Sequence, residues 1–450
     1  MSQPIKIHGL GSSGEGVGKL DGLAVFVEGA LPGEEVLVEI DTRKKNYAVG
    51  RLVEVLKKSS ERVEPFCPLY KNCGGCQLQH MSYPAQLKWK RQQVVDAIER
   101  IGKLDGVKIF ETFGMENPLR YRNKMQFPVG TGDKGLGTRE LQIGCYARGS
   151  HKIIDANACA IQNELNDKIL NAVRFVAKKF NLQPYDEDMH KGFLRHVMGR
   201  VGFGGEFMIV LVTAAKNFPN EKNFVRALVK ELPNVTSIQQ NVQTFHNNVI
   251  LGRDTKILYG KQTIRDKIGG LSFNISARSF FQVNTAQAEI LYKTALDFAE
   301  LHGGETIIDA YCGTGTIGLF MARKARKVIG VEVVSSAIAD AKKNARENKI
   351  RNAEFFVGNA VKVLPKIFAD GTFAEVVVVD PPRAGCDKKV LETFAAMQPE
   401  KIIYVSCNPA TLARDLKILD GLGYLTKKIQ PVDMFPFTSH VESVTQLIRK

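Results

Sequence analysis

The sequence predicts an α/β protein: a doubly wound parallel sheet in the C-terminal part, a small N-terminal β-barrel, and a β-rich region between them. Three observations predict it. Strand-like and helical stretches alternate regularly from about residue 283 to residue 450, the pattern of parallel strands joined by helices. Residues 1–62 are glycine-rich and break into short apolar runs separated by Gly/Pro turns, as a small barrel requires. From about 105 to 275 strand-like segments dominate, interrupted by one helical stretch near 165–180. At 450 residues the chain exceeds one ordinary core and fits two to three domains, divided here at 1–62, 63–282 and 283–450.

Each element has its own signal. Residues 23–27 and 35–40 are the clearest barrel strands, with Pro32-Gly33 in the turn between them, and Lys44-Lys45-Asn46 turns the chain into 48–55. Barrels of this kind commonly bind single-stranded nucleic acid on one face. Residues 63–80 read as a loop, and 81–103 as a helix with Leu87, Val94, Val95, Ile98 and Ile101 set among basic residues. Residues 207–212 and 236–240 read as strands of the central region. In the last part, strands are expected at 306–309, 328–332, 354–357, 376–380 and 402–405.

Charge points to the partner. With 62 Lys and Arg against 47 Asp and Glu, the net charge is +15, which favours an anionic partner, nucleic acid above all. No apolar run reaches the roughly 20 residues of a membrane span, and the first residues lack the apolar core of a signal peptide. A cytoplasmic protein is expected, with no membrane partner and no obligate protein partner indicated. Disulfides are not expected among its eight cysteines in a reducing compartment.

The chemistry clusters late in the chain. Gly313-Thr314-Gly315-Thr316-Ile317-Gly318 follows a strand and precedes a helix, a turn that holds a nucleotide-like cofactor. Glu332 closes the next strand, 23 positions after Asp309, where a carboxylate can accept both ribose hydroxyls. S-adenosylmethionine and NAD share this requirement, so the pair does not choose between them. Asp380-Pro381-Pro382-Arg383 makes a rigid wall at a strand end. Amino methyltransferases often carry an aromatic after such an acid and two prolines, and Arg383 stands in its place here. A different activation chemistry is therefore expected.

Cys407, in Ser406-Cys407-Asn408-Pro409, provides it. A thiol at the carboxyl edge of the sheet, where a helix begins, lies where such folds bind ligands, and the helix start favours the thiolate. Carbon-5 of a pyrimidine is a poor nucleophile. A thiolate adding to carbon-6 makes carbon-5 reactive toward a methyl sulfonium, and a base must then remove the carbon-5 proton. Glu442, between a Pro/Thr/Ser loop and the final strand, is the best carboxylate for that base.

Two further groups stand outside this set. Cys67, Cys73 and Cys76 fall within ten residues, and Cys159 is the best available fourth ligand. Four thiolates fit a [4Fe-4S] cluster or a structural zinc, and one C-x2-C with two outlying cysteines fits the cubane better. Between Leu119 and Phe127, Arg120, Arg122 and Lys124 interleave with Tyr121 and Phe127. The pattern reads as phosphate binding with base stacking, or simply as a strand with one charged face.

With these residues in view, the chain resembles the bacterial RNA uracil-C5 methyltransferases, especially the 23S ribosomal-RNA branch with a TRAM domain and an iron–sulfur cluster. The resemblance runs nearly the whole length. It is carried by Cys67 to Cys76, Ser279 to Asn284, Asp309 to Gly315, Asp380 to Gly385 and Ser406 to Thr411. It implies a Rossmann-like methyltransferase domain, a TRAM/OB-like barrel, Cys407 as nucleophile and Glu442 as proton acceptor. It further implies that Gln282, Tyr311, Glu332 and Asp380 contact S-adenosylmethionine or the adjoining uracil. Asn359 falls where the family often has an acid reading the adenine, and Phe437 where many relatives have histidine. The expected substrate is a uridine of 23S ribosomal RNA. The alternatives are the same chemistry on transfer RNA, or a non-catalytic RNA-binding assembly factor on an inherited fold.

Overall fold

The computed structural model describes residues 2–133 and 139–450. They group into two compact units. One comprises the chain up to Tyr70, Gly75–Met115 and Asp380–Lys450; the other comprises Lys71–Gly74 and Glu116–Val379.

The first unit opens with a closed barrel of five strands, Gln3–Leu10, Gly16–Leu20, Leu23–Val27, Glu35–Arg43 and Tyr47–Lys57, with the last two exchanged in spatial order. Alternation along the strands turns Ile5, Ile7, Val25, Val27, Val36 and Val38 into one small core, as the two-residue period of a strand requires. Arg62 closes one end: its guanidinium donates to buried Glu34 at 2.5 and 2.7 Å and to the Gly29 carbonyl at 2.6 Å. Leu31 then packs with Leu78, Met81, Ala85 and Trp89. The expected helix at 81–103 is Tyr83–Ala97, extended by a looser turn at Ile98–Gly102. Pro84 sits in its first turn, where a missing N–H costs nothing.

The same unit ends in a largely antiparallel sheet. Lys401–Ser406, Glu442–Arg449, Tyr424–Val432 and the short Lys108–Ile109 lie side by side in that order. The helices Lys388–Met397 and Pro409–Gly421 precede and follow Lys401–Ser406.

The second unit holds a seven-stranded sheet in the order Asp254–Gly260, Ser237–Val242, Phe207–Thr213, Leu194–Val201, Lys124–Asp133, Arg139–Tyr146 and Ile153–Asp155. Two helices share its core, Glu164–Lys179 and Glu221–Glu231. The sequence reading anticipated only the first. The second is 11 residues long and puts Phe224, Val225 and Leu228 into the core, a stripe too short to stand out among strand-like neighbours. Phe127 also lies in this core, so it is not the base-stacking aromatic its neighbours suggested.

After the hairpin Ile264–Ile268 and Leu271–Ile275 comes the helix Thr285–Ala299. Four parallel strands follow, in the spatial order Ala353–Val357, Lys327–Glu332, Thr306–Ala310, Val376–Val379. This is the expected strand–helix alternation, and the predicted fold class stands. The final strands depart from it, because Glu442–Arg449 returns antiparallel beside Lys401–Ser406. Among the described residues no helix is long and apolar enough to cross a membrane.

Candidate active site

Cys407 follows a buried strand and precedes a capped helix, and each side is fixed by its own bonds. Ser406 Oγ accepts from the Asn408 N–H and donates to the Asn408 carbonyl, both at 3.1 Å. Asn408 caps the next helix, its side-chain oxygen accepting from the Ala410 N–H at 3.0 Å, as a helix start prefers. Its amide nitrogen reaches the Arg383 carbonyl at 3.3 Å, and Thr411 Oγ1 reaches the same carbonyl at 3.2 Å. The loop following Asp380 is therefore tied to the turn that carries the thiol. A buried carboxylate, Asp415, completes the frame: it accepts from the Cys386 N–H at 2.7 Å and the Tyr404 hydroxyl at 2.6 Å.

The final strand brings Glu442 to this turn. Ser406 pairs with Ser443 in antiparallel register, so the next residues outward, Cys407 and Glu442, face one another across the strand ends. Glu442 is 5% exposed. Burial pushes its carboxyl up to about 8, with the Asp380 carboxylate adding to the rise and the Arg383 guanidinium opposing it. Burial likewise raises Asp380 to about 7. Both carboxyls are thus held above the usual acidic range.

The thiol answers to the same surroundings. Burial, then the Glu442 and Asp380 carboxylates, push Cys407 up to about 11, with Arg383 opposing. The helix start was expected to favour the thiolate, and here it is outweighed. At neutral pH the resting residue is a thiol facing buried Glu442 and half-buried Asp380.

Sequence reasoning missed what holds the segment before Glu442. Lys90 and Asp433 form a fully buried ion pair, and Tyr83 donates to the second Asp433 oxygen at 2.9 Å. Gln86 accepts from the Phe437 N–H at 3.1 Å, while the Gln77 and Leu78 N–H groups donate to the Phe437 carbonyl at 3.0 Å. Phe437 itself has φ 66, a conformation a bulky residue adopts only under constraint. A lysine inside an otherwise ordinary helix stripe was the one signal available.

The second unit carries the glycine turn. Tyr311, Gly313 and Gly315 have φ of 63, 53 and 81, so the chain turns sharply between Thr306–Ala310 and Thr316–Met321. A Cβ on Gly315 would come within 3.1 Å of Phe355 and 3.2 Å of Ala341; only glycine fits there. Asp309 accepts from the Gly318 N–H at 2.8 Å and so secures the helix. Glu332 accepts from the Gly313 N–H at 3.3 Å and the Val334 N–H at 2.9 Å, and Val357 stands opposite it in register. Val333 and Val357 are exposed there, an apolar surface with a carboxylate at its edge. Asn359 is exposed and caps the next helix through the Val361 N–H at 2.9 Å. Gln282 is buried, its carbonyl accepting from Asn123 at 3.0 Å. A glycine turn, a strand-end carboxylate and an adjoining apolar surface fit S-adenosylmethionine.

The metal-ligating set does not form. Among the described residues no group of three or more His, Cys, Asp or Glu side chains is placed to hold a metal ion. Cys73 lies in an antiparallel bridge to Ala147, and Cys159 packs as a small apolar residue against the central core. The expected [4Fe-4S] cluster and its zinc alternative are corrected accordingly. Spacing along a loop does not by itself make a metal site.

Comparison with known proteins identifies the family. The tRNA (uracil-5-)-methyltransferase family matches residues 224–450, and the TRAM domain matches residues 2–53. A protein of Halalkalibacterium halodurans described as an uncharacterized RNA methyltransferase is 50% identical over 444 residues, 98% of this chain and 96% of that one. A protein of Clostridium tetani with the same description is 52% identical over 439 residues, 97% and 94% of the two chains. The crystal structure of the Pyrococcus abyssi tRNA (uracil-54, C5)-methyltransferase with S-adenosyl-L-homocysteine superposes with a TM-score of 0.78 at 29% identity, covering 100% of both chains. These findings overturn the expected placement in the 23S ribosomal-RNA branch: the matched family and the matched structure are both named for transfer RNA.

Proposed function

The chain belongs to the tRNA (uracil-5-)-methyltransferase family, S-adenosylmethionine-dependent enzymes that methylate uracil carbon-5 in RNA, and on that premise we propose that its substrate is a uridine of transfer RNA. The observation that carries the chemistry is the thiol–carboxyl pair at the strand ends, Cys407 opposite Glu442. The observation that favours transfer RNA is the full-length likeness to an enzyme named for tRNA uracil-54.

In this reading Tyr311, Glu332, Asn359, Gln282 and Asp380 hold S-adenosylmethionine or the adjoining uracil, and the barrel contributes RNA affinity. The bound cofactor supplies an electrophilic sulfonium methyl. Cys407 Sγ, once deprotonated, bonds to uracil carbon-6, and the ring electrons move to the carbon-4 carbonyl oxygen as an enolate. Carbon-5 is then nucleophilic and would gain the methyl group as the sulfonium's methyl–sulfur bond breaks, the electron pair staying on sulfur to leave a neutral thioether. Glu442 takes the carbon-5 proton, the carbon-5–carbon-6 double bond re-forms, and the carbon-6–sulfur bond breaks. A base with a pKa near working pH is well matched to that last step, and the burial of Glu442 supports the assignment.

The test is trapping. Glu442→Gln should form the covalent adduct and methylate, yet release product slowly, so a protein–RNA species persists on a denaturing gel. Cys407→Ala should give neither adduct nor product. Undiminished methylation of unmodified tRNA transcript by Cys407→Ala would remove the mechanism. Failure of the wild-type protein to methylate any such transcript would remove transfer RNA as substrate.

A further inference from the structure

On the central sheet of the second unit, Lys124 stands directly opposite Arg200 across neighbouring antiparallel strands. Like charges directly opposed in a sheet cost stability. Arg122, two residues earlier, adds a third cation, its Nε donating to the Lys124 carbonyl at 3.1 Å. Arg200 donates to the Ser279 carbonyl at 2.5 Å and the Ala277 carbonyl at 3.4 Å. It is 4% exposed, and its Nε is buried without a partner. The bonds of these guanidinium groups run to main-chain carbonyls, and among the described residues none of the three cations pairs with a carboxylate. Burial, then Arg200, then Arg122 push the Lys124 ammonium down to about 7.

Arg200 is buried and Arg122 and Lys124 are half-buried; crowded cations so placed without a counter-charge are costly, and an oxyanion among them offsets that cost. We propose that Arg122, Lys124 and Arg200 form a subsite for a backbone phosphate of the RNA substrate. The proposal rests on the RNA-methylation reading and names a contact within it. S-adenosylmethionine also carries an oxyanion, its carboxylate. Its ammonium and sulfonium leave the molecule net positive, so three cations repel it as a whole. A phosphodiester has no such internal compensation. Arg200 also holds the carbonyls just before Phe280, which is 73% exposed, and before Gln282, so the subsite supports the segment proposed to meet cofactor and uracil.

The experiment is a binding titration of unmodified tRNA transcript at several salt concentrations, on wild type, Lys124→Met, Lys124→Arg and Arg122→Gln. Binding needs no turnover, so it is read separately from the reaction. Lys124→Met and Arg122→Gln should each weaken RNA binding several-fold and reduce the salt slope by about one contact. Lys124→Arg should keep the wild-type slope, and S-adenosylmethionine affinity should not move in any variant. Wild-type RNA affinity and slope in Lys124→Met would overturn the subsite. So would a loss of S-adenosylmethionine affinity with RNA binding intact, which would assign the anion to the cofactor. If wild type itself neither binds nor methylates RNA, it is the underlying functional reading that falls.

Discussion

Lys90 Nζ stands 2.5 Å from Asp433 Oδ1, and neither side chain reaches solvent. The pair joins the helix Tyr83–Ala97 to the start of the loop that leads into Glu442, and Lys90 also donates to the Phe435 carbonyl at 3.1 Å. Burial lowers the lysine's pKa, and the Asp433 carboxylate opposes that shift.

Removing one member should be worse than removing both. Lys90→Met removes the cation paired with buried Asp433, at a cost of about 3–5 kcal/mol. Lys90→Met combined with Asp433→Leu should recover much of that loss. Denaturant unfolding of the two proteins checks it, and a single variant as stable as wild type would show that the pair holds nothing. Because the loop carries Glu442, the single variant should also slow product release.

The carboxyl pair sets a pH dependence. Proton removal needs Glu442 ionised, so turnover should rise with pH through about 8 and lose that limb in Glu442→Gln. Stability should run the other way. Asp380 and Glu442 have folded pKa values raised above their ordinary ones, so the stability they contribute is present below the ordinary carboxylate range and is lost as pH rises through about 7 to 8. Thermal unfolding of wild type should therefore weaken from pH 6 to pH 9, and that of Glu442→Gln should weaken less. Identical slopes would place the Glu442 carboxyl in water.

Gly315→Ala should damage the cofactor turn alone. The new Cβ meets Phe355 at 3.1 Å with φ at 81, and an L-residue in that region costs roughly 1–2 kcal/mol before any clash. Isothermal titration should show S-adenosylmethionine affinity reduced several-fold with RNA affinity unchanged. Equal loss for both ligands would mean general unfolding instead.

Asn408 separates capping from positioning. Asn408→Ala removes the cap and the bond to the Arg383 carbonyl, and should cost about 1 kcal/mol. Asn408→Asp keeps a capping oxygen but loses the amide donor and adds negative charge next to Cys407. It should unfold near wild type yet form the RNA adduct more slowly, as a rate measurement under single-turnover conditions would show. An adduct rate unchanged in Asn408→Asp would leave Asn408 a cap and nothing more.

The sequence by itself determined the fold class and most of the elements, and marked the residues proposed to carry the chemistry. Two-residue alternation and Gly/Pro turns wrote the barrel, strand–helix alternation wrote the parallel strands, and Gly313 to Gly318, Asp380 to Arg383 and Ser406 to Pro409 marked strand ends because turns favour particular residues. What only the tertiary structure decided is convergence. Cys407 and Glu442 are 35 positions apart, and the Ser406–Ser443 register alone sets them opposite each other. The rise in their pKa values follows from burial and neighbouring charge, which no local pattern encodes, so the helix-start argument for a thiolate failed. The metal site expected of the cysteines is likewise not found among the described residues. Cys67, Cys73 and Cys76 are close along the chain, but spacing limits only how far apart residues can be, and the packing of each side chain decides whether they meet.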